Sequence, residues 1–215
     1  MNNQLRLFDL EGGGEGKTYR AIRHDIVRKS QKENKNEVHH PHQKKNQIGK
    51  ILKNRSGLKI LEMFSGRGNL TREYEEHGEV EKYDQRWLKT GDSFLKFHQL
   101  IANKGNYDVV DIDPYGFPSR LLPDIFLLVR NGYIFMTFPK PFVNILNGIT
   151  QAHLVAYYGE PNPSLEKIQE RIVLYGLCHW REVVFENILD MGRLWRFALS
   201  VKKVKATDYT GVRNR

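Results

Sequence analysis

Two acidic residues stand at the end of an apolar run in the middle of the chain. The stretch "YDVVDIDPYG" (residues 107 to 116) ends in Asp111, Asp113, Pro114, Tyr115 and a glycine. A carboxylate beside a rigid proline and an aromatic ring costs core stability, so packing alone does not explain the combination. Asp113 can accept a hydrogen bond from an amine, the backbone near Pro114 can offer a carbonyl, and Tyr115 can stack on a flat ring. These three are candidate catalytic residues for a reaction at an amine on a planar ring.

A glycine-rich stretch, "LEMFSGRGN" (residues 61 to 69), follows another apolar run and precedes a segment of helical pattern. Glycines tolerate positive φ and allow the backbone to approach a ligand closely, and the helix N-terminus beyond them offers free N–H groups. A lone G-x-G is more often a tight turn, but the strand-loop-helix context favours a ligand loop. The candidate contacts here are Glu62, Phe64, Ser65, Gly66 and Gly68.

Two more acidic positions follow this loop. Asp84 ends the next apolar run, 18 residues past Gly66, where nucleoside-binding sheets place a carboxylate on ribose hydroxyls. The stretch "GDSF" then offers Asp92 and Ser93, which could reach an adenine amino group or ring nitrogen. For Asp84, an ordinary strand-end turn weighs equally in isolation. For Asp92 and Ser93, a helix N-cap is the stronger interpretation in isolation.

Another glycine-rich stretch, "EGGGEGKT" (residues 11 to 18), resembles the phosphate loop of an NTPase. Gly16, Lys17 and Thr18 fit the motif, but Glu11 stands where its first glycine should be, and a carboxylate there would repel phosphate. The stretch follows only a short apolar run and leads into a polar segment. We interpret it as a flexible hinge, with a P-loop NTPase as a rival hypothesis.

The chain has 215 residues and a net charge of +9, and its basic excess lies near the N-terminus. The segment from Lys17 to Arg55 carries 12 Lys or Arg against three acids. A local block of this kind suits a phosphate backbone, although a solvated tail is the more common meaning of a charge run. The single cysteine, Cys178, suits a reducing compartment, and no apolar run has the length of a membrane span. We expect a cytoplasmic protein without membrane contact.

Strand-length and helical segments alternate after about residue 56. The sequence predicts strands at 58–64, 79–84, 107–114 and 133–139, and a terminal pair at 181–190 and 194–204. It predicts helices at 70–78, 91–105, 119–132 and 164–178. This alternation indicates an α/β domain at 57–215 with a mostly parallel sheet and an antiparallel C-terminal hairpin. Residues 1–56 are predicted to be a basic, partly flexible N-terminal arm.

The four candidate sites, in this order, resemble those of class I S-adenosylmethionine-dependent methyltransferases. The resemblance covers about residues 57 to 203 and implies a Rossmann-like sheet with S-adenosyl-L-methionine as cofactor. The glycine loop is similar to the cofactor loop, Asp84 to the ribose-binding acid, "GDSF" to the adenine contact and "DIDPYG" to the catalytic strand end. The implied cofactor-binding residues are Glu62, Phe64, Ser65, Gly66, Gly68, Asp84, Asp92, Ser93 and Asp111.

The stretch "DIDPYG" narrows the choice of family within the class I methyltransferases. Amino-methylating DNA enzymes usually carry a second proline where Tyr115 stands, whereas "DIDPYG" resembles the tRNA guanine-N2 dimethyltransferase family. The stretch "YYGEPNPSLEKIQERI" is also similar to that family at Tyr158, Gly159, Pro163, Glu170, Arg171 and Ile172. The glycine loop departs from that family's pattern.

The resemblance and the residues together imply methyl transfer to an exocyclic amine of a nucleic-acid base. Guanine N2 in RNA is the first hypothesis, and an amino group of adenine or cytosine in DNA is the second. Methylation at carbon 5 of a pyrimidine needs a cysteine nucleophile, and Cys178 stands outside any suitable loop. A non-catalytic nucleic-acid-binding protein on the same fold is the rival from another class. The implied partner is RNA or DNA, bound through the segment from Lys17 to Arg55. Trp87, Tyr157 and Tyr158 are possible stacking surfaces, and core packing of these aromatics weighs at least equally. The histidine group "HHPH" lacks further ligands at metal-binding spacing, so we predict no metal.

Overall fold

The computed structural model describes residues 40–85, 88–114, 117–140 and 151–204. In these ranges six strands form one sheet, and five α-helices and two short 3-10 helices surround it. The strands are β1 Leu58–Met63, β2 Gly78–Tyr83, β3 Tyr107–Ile112, β4 Val129–Pro139, β5 Arg181–Asp190 and β6 Leu194–Lys203. The helices are α1 Pro41–Ile51, α2 Thr71–Glu75, α3 Ser93–Ala102, α4 Gln151–Tyr158 and α5 Leu165–Cys178.

The strand order across the sheet is β2-β1-β3-β4-β6-β5. The pairs β1–β2, β1–β3 and β3–β4 are parallel, and β6 runs antiparallel to both β4 and β5. The predicted mostly parallel sheet with an antiparallel C-terminal hairpin is therefore confirmed. Because β1 lies between β2 and β3, the carboxyl ends of these three strands meet at one edge of the sheet.

Each face of the sheet carries its own apolar cluster. Side chains of α3, α4, α5 and the segment 117–128 pack on one face, where Phe97 and Ile168 are fully buried. Helices α1 and α2 cover the other face through Ile48, Leu52 and Tyr74, which are also fully buried. The sheet is thus enclosed between two helical layers, as expected for an α/β fold.

Helix α1 lies inside the segment that the sequence predicts as an arm. Pro41 stands in its first turn, and Ile48 and Leu52 are buried against the sheet. The helix belongs to the same compact unit as the sheet. The folded part therefore begins before residue 57, because two apolar residues four apart give this basic stretch one buried face.

The predicted helix at 119–132 is wrong. This stretch contains two 3-10 helices, Pro118–Arg120 and Ile125–Leu127, and β4 already begins at Val129. Pro123 has no backbone N–H and disfavours the α conformation in the residue before it, so a continuous helix cannot form there. Buried side chains such as Leu121 and Phe126 hold the irregular segment on the sheet.

The other predicted helices of the folded part are present, although some are shorter. Helix α5 begins after Ser164, whose hydroxyl accepts a hydrogen bond from the Lys167 N–H at 3.1 Å. Helix α4 was not predicted. Among the described residues, no helix is both long and apolar enough to cross a membrane.

Candidate functional site

Three predicted site segments meet at the carboxyl edge of the sheet. Met63, the last residue of β1, pairs with Tyr83 of β2 and with Ile112 of β3. Phe64, Asp84 and Asp113 therefore each lie just beyond the end of a neighbouring strand. The topology brings the glycine loop, the acid after β2 and the acid after β3 to one place.

The glycine loop is held to the end of β2 by two backbone donors. The N–H of Ser65 donates to the Tyr83 carbonyl at 3.1 Å, and the N–H of Gly66 donates to Asp84 Oδ2 at 3.0 Å. Gly66 and Gly68 have φ of 58° and 76°, the left-handed region that glycine adopts without strain. The buried Asp84 carboxylate thus fixes the conformation of the loop.

An aromatic pair lies beside the loop. Phe64 has φ of 62°, which is costly for a residue with a Cβ and is found mostly at functional sites. Its ring packs edge-on against Phe94 at 5.3 Å between centroids, and the Arg120 guanidinium lies 5.0 Å from the Phe94 ring centre. Sequence reasoning missed Phe94 and Arg120, although Phe94 directly follows the predicted "GDS" contact.

Asp92 caps helix α3. Its Oδ1 accepts hydrogen bonds from the N–H groups of Phe94 at 2.8 Å and Leu95 at 3.4 Å. The neighbouring Ser93 is buried, and its hydroxyl has no hydrogen-bond partner among the described residues. The capping alternative holds for Asp92, and the adenine contact of both residues stays a prediction.

Asp113 is paired with a lysine from α1. Lys44 Nζ lies 2.5 Å from Asp113 Oδ2, and the two side chains are 6% and 23% exposed. The lysine is therefore sealed in the protein, whereas the carboxylate reaches the surface at the sheet edge. Pro114 beside it is half-buried.

Charges around Asp113 keep its carboxylate ionised. Burial acts to raise the pKa of Asp113, but the positive charges of Lys44 and Arg196 and a hydrogen bond from Thr137 outweigh it. The pKa of Asp113 is consequently lowered. The group is suited to accept hydrogen bonds rather than to donate them.

Asp111 has a different environment from Asp113, two residues away on the same strand end. It is fully buried, and its Oδ2 accepts hydrogen bonds from Arg196 Nη2 and the Tyr74 hydroxyl, both at 2.7 Å. Arg196 Nη1 also donates to Thr137 Oγ1 at 3.0 Å. This network encloses Asp111 and gives it a structural role, while its buried Oδ1 has no hydrogen-bond partner among the described residues. The cofactor contact predicted for Asp111 stays a prediction.

The buried network also fixes the ionisation of its members. Burial acts to lower the pKa of Arg196, but the negative charges of Asp111 and Asp113 outweigh it and the pKa is raised. Burial and the Asp111 charge raise the pKa of Tyr74 well above its ordinary value. Arg196 is therefore a permanent cation in this network, and the Tyr74 phenol is neutral.

Glu62 is buried on the same face of the sheet as Asp111. Its Oε2 accepts a hydrogen bond from the Thr71 hydroxyl at 2.5 Å. Burial, with further contributions from the charges of Asp111 and Asp113, raises the pKa of Glu62 to about 8. Glu62 lies in β1, just before the glycine loop, and its hydrogen bond with Thr71 holds the first residue of α2.

Some predictions fall outside the described residues. Tyr115, Trp87, the stretch "EGGGEGKT" and the basic residues from Lys17 to Lys35 lie there, and the roles predicted for them stay predictions. Tyr158 is fully buried, with its hydroxyl 2.8 Å from Ser119 Oγ, so it is a core residue and not a stacking surface. Tyr157 is half-buried.

Sequence reasoning missed Lys44, Arg196 and Thr137. Arg196 had a signal, because a charged residue inside the apolar run "LWRFALSV" is rare unless it is paired. Lys44 had none, since it stands in a run of other basic residues. In the part of the chain that the structure describes, no three His, Cys, Asp or Glu residues are placed to hold a metal ion.

Comparison with solved structures identifies the fold. Trm1 from Pyrococcus horikoshii, in complex with S-adenosyl-L-methionine, is similar at a TM-score of 0.55 and 15% identity, over 78% of this chain and 57% of that one. A candidate SAM-dependent methyltransferase from Streptococcus mutans is similar at 0.52 and 14%, over 74% and 48%. The chain thus spans about half the length of these proteins. No protein-family model matches it, and no curated protein matches it in sequence.

Proposed function

We propose that this chain, which has the class I methyltransferase fold, transfers a methyl group from S-adenosyl-L-methionine to an exocyclic amine of a nucleic-acid base. The observation that carries the proposal is the position of Asp113. Its ionised carboxylate lies after β3, beside the glycine loop that follows β1 and the acid that follows β2. This is the edge at which open α/β sheets bind their ligands.

The residues at this edge fit a ligand that carries hydroxyl and amino groups. The buried hydroxyls of Ser65 and Ser93 have no hydrogen-bond partner among the described residues, so each can pair with a polar ligand atom. Asp84 and the backbone of the glycine loop would hold the ligand's polar groups, and the Phe64–Phe94 pair would pack against its apolar parts. When bound, S-adenosylmethionine supplies an electrophilic methyl group on a positively charged sulfur.

Asp113 supplies what an exocyclic amine needs. The lone pair of such an amine is delocalised into the ring, and a hydrogen bond from its N–H to a carboxylate increases its electron density and orients it. An amine that gained a methyl group in this way would release one proton, and the ionised Asp113 carboxylate would accept it. Most of the rate enhancement would come from holding the amine in line with the methyl group.

Guanine N2 in RNA is the first hypothesis for the target, and an amino group of adenine or cytosine in DNA is the second. The resemblance of "DIDPYG" to the guanine-N2 family favours guanine. Cys178 ends α5, close in sequence to Arg181, whose Nε donates to the carbonyl of Val129 at the start of β4. This places the cysteine toward the end of the sheet opposite Asp113, which argues against cysteine-dependent methylation of carbon 5.

The basic segment would bind the phosphate backbone. Helix α1 and the residues after it carry exposed or half-exposed cations at Lys45, Lys50, Lys53 and Arg55. Helix α1 also carries Lys44, which contacts Asp113. The same helix therefore carries part of the basic surface and reaches the candidate site. A target inside a duplex would have to be flipped out, whereas a base in a loop or single strand would not.

Transfer of a tritium-labelled methyl group to separate RNA and DNA pools, followed by nucleoside identification, tests the proposal. Wild-type protein should label one pool at an amino-methylated base. Asp113→Ala should retain cofactor binding and lose transfer. The matched control is Asp108→Asn, on the same strand, whose carboxylate accepts a hydrogen bond from the Lys59 N–H at 2.9 Å and lies away from the site. Unchanged turnover in Asp113→Ala would contradict the assignment.

Assays of the wild type and of Lys17→Ala separate the rival hypotheses. A non-catalytic nucleic-acid-binding protein would bind RNA or DNA and label neither pool. A P-loop NTPase would bind ATP in a magnesium-dependent way, and Lys17→Ala would abolish that binding. Methyl transfer by the wild type that is unchanged in Lys17→Ala excludes both rival hypotheses.

A further inference from the structure

We infer that Lys44 is a positioning residue for the proposed reaction: it holds one oxygen of Asp113 and keeps the carboxylate as an ionised acceptor for an N–H of the target base. The inference rests on the proposed function. It adds a residue from outside the recognised methyltransferase segment, which begins near residue 57, and it restricts the chemistry of the target group.

The placement of Lys44 is determined by the packing of α1. Lys44, Ile48 and Leu52 are spaced four residues apart, so they lie along the buried side of this stretch. Ile48 and Leu52 anchor that side in the apolar cluster, and Lys44 is 4% exposed. A buried ammonium is stable only with a partner, and among the described residues its hydrogen-bond partner is Asp113.

The Lys44–Asp113 pair differs from the Arg196–Asp111 pair in its exposure to solvent. The Arg196–Asp111 pair is closed, with both side chains at 0% exposure. In the Lys44–Asp113 pair the cation is sealed, but the anion remains 23% exposed beside the glycine loop. The end of β3 thus carries two different carboxylates. Asp111 is fully enclosed, whereas Asp113 is paired with a buried lysine and remains partly exposed at the sheet edge.

The charged groups around Asp113 agree with this role. Lys44 faces it from α1, Arg196 from β6, Glu62 from β1, and Asp111 is on its own strand. The two cations lower the pKa of Asp113. Burial raises the pKa of Glu62 to about 8, so Glu62 is neutral in acid solution and adds no negative charge beside Asp113. The cations that act on Asp113 in acid solution are Lys44 and Arg196.

An acceptor that stays ionised selects its substrate. A carboxylate without a proton pairs with an N–H group and repels a carbonyl oxygen or an unprotonated ring nitrogen. The target group at Asp113 must therefore carry a hydrogen, as the amino groups of guanine, adenine and cytosine do. A base that presents only acceptors at its reactive atom should not be methylated.

The test is the pH dependence of kcat/KM, measured from pH 3 to pH 9 with the RNA or DNA pool that the wild type labels, because the lowered pKa of Asp113 puts the wild-type acid limb below pH 5. Lys44→Met removes the charge, so the acid limb should move to higher pH, and kcat/KM below the limb should fall about tenfold for each pH unit of movement. Lys44→Arg keeps the charge and should restore the wild-type limb. The matched control, Lys167→Met, removes the lysine of the 2.8 Å ion pair with Glu170 on α5 and should leave the limb in place.

The outcomes separate this inference from the proposed function. If the wild type labels no nucleic acid, the proposed function fails. If the wild type is active and Lys44→Met, shown to be folded by its thermal melt, has the wild-type acid limb, the inference about Lys44 is wrong. If Lys44→Met is too unstable to assay, Lys44→Arg decides: a limb that coincides with that of the wild type supports the charge role, and an active Lys44→Arg whose limb moves to higher pH contradicts it.

Discussion

Arg196 Nη2 lies 2.7 Å from Asp111 Oδ2, and neither side chain is exposed to solvent. The pair joins β6 to β3 across β4, with Thr137 of β4 bonded to the same guanidinium. Asp113, two residues beyond Asp111, is instead partly exposed and paired with Lys44. The end of β3 therefore carries a structural acid and a candidate catalytic acid in succession, and substitutions should separate their roles.

Arg196→Met should destabilise the fold strongly. It leaves the Asp111 carboxylate buried without its cation, and breaking a buried pair in this way costs about 3–5 kcal/mol of unfolding free energy. Denaturant unfolding measures the loss. The control, Lys140→Met, removes the lysine of the Lys140–Asp190 pair, in which Asp190 is largely exposed, and should keep an unfolding free energy close to the wild type. Equal losses in both variants would contradict a special role for the Asp111 pair.

Glu62 should make stability depend on pH. Its pKa is raised from 4.5 to about 8 in the folded protein, so the folded state binds the proton more tightly than the unfolded state. Stability from this group is therefore complete at low pH and is lost as pH rises toward about 8, by up to about 1.4 kcal/mol per pH unit. Glu62→Gln keeps an acceptor for Thr71 and removes the ionisation. Unfolding curves of the two proteins between pH 5 and 9 should diverge as pH rises, and a constant difference would refute the assignment.

The strands and the glycine loop were predictable because their signals are local. Apolar runs such as the one ending at Met63 mark buried strands, and two glycines after such a run mark a ligand loop. The order of these segments then places Asp84 and Asp113 at one edge. Pro123 is also a local signal against the helix predicted at 119–132, although the apolar residues around it fit a helical pattern.

The partners of the acids were not predictable, because they depend on contacts between distant segments. Lys44 is 69 residues before Asp113, and Arg196 is 85 residues after Asp111. Nothing in the sequence near Asp111 and Asp113 shows that one carboxylate is enclosed and the other is open. That difference arises from which helix or strand packs over each position.

Asp84 should control cofactor affinity through the glycine loop. Asp84→Asn keeps an acceptor for the Gly66 N–H but removes the charge that would hold ligand hydroxyls. Hydrogen bonds to charged groups contribute about 1.5–3 kcal/mol, so the Kd for S-adenosylmethionine should rise roughly tenfold to a hundredfold. Isothermal titration calorimetry gives the value, with Asp108→Asn as the control. An unchanged Kd would remove Asp84 from the cofactor site.

Gly176 should tolerate no side chain. A Cβ at this position in α5 would lie 2.3 Å from Val183 Cγ2 and 3.2 Å from the Arg181 carbonyl oxygen. Overpacking of this kind costs about 1–3 kcal/mol, although alanine is otherwise the better helix former. Thermal and denaturant unfolding should show Gly176→Ala less stable than the wild type. Adding Val183→Ala should remove part of the penalty, and a stabilised single variant would show that α5 does not pack on β5 in this way.

The basic segment should bind nucleic acid through its exposed cations and not through Lys44. Neutralising the Lys and Arg residues between positions 28 and 55, with Lys44 retained, should weaken binding and flatten its dependence on salt. Each lost phosphate contact reduces the slope of log K against log salt by about 0.7 on single strands. The control neutralises exposed cations elsewhere, at Lys104, Arg130, Lys202 and Lys203. Filter binding across a salt series compares the two sets per charge removed. If both sets change affinity and slope equally, binding follows net charge, and the N-terminal segment has no special part in it.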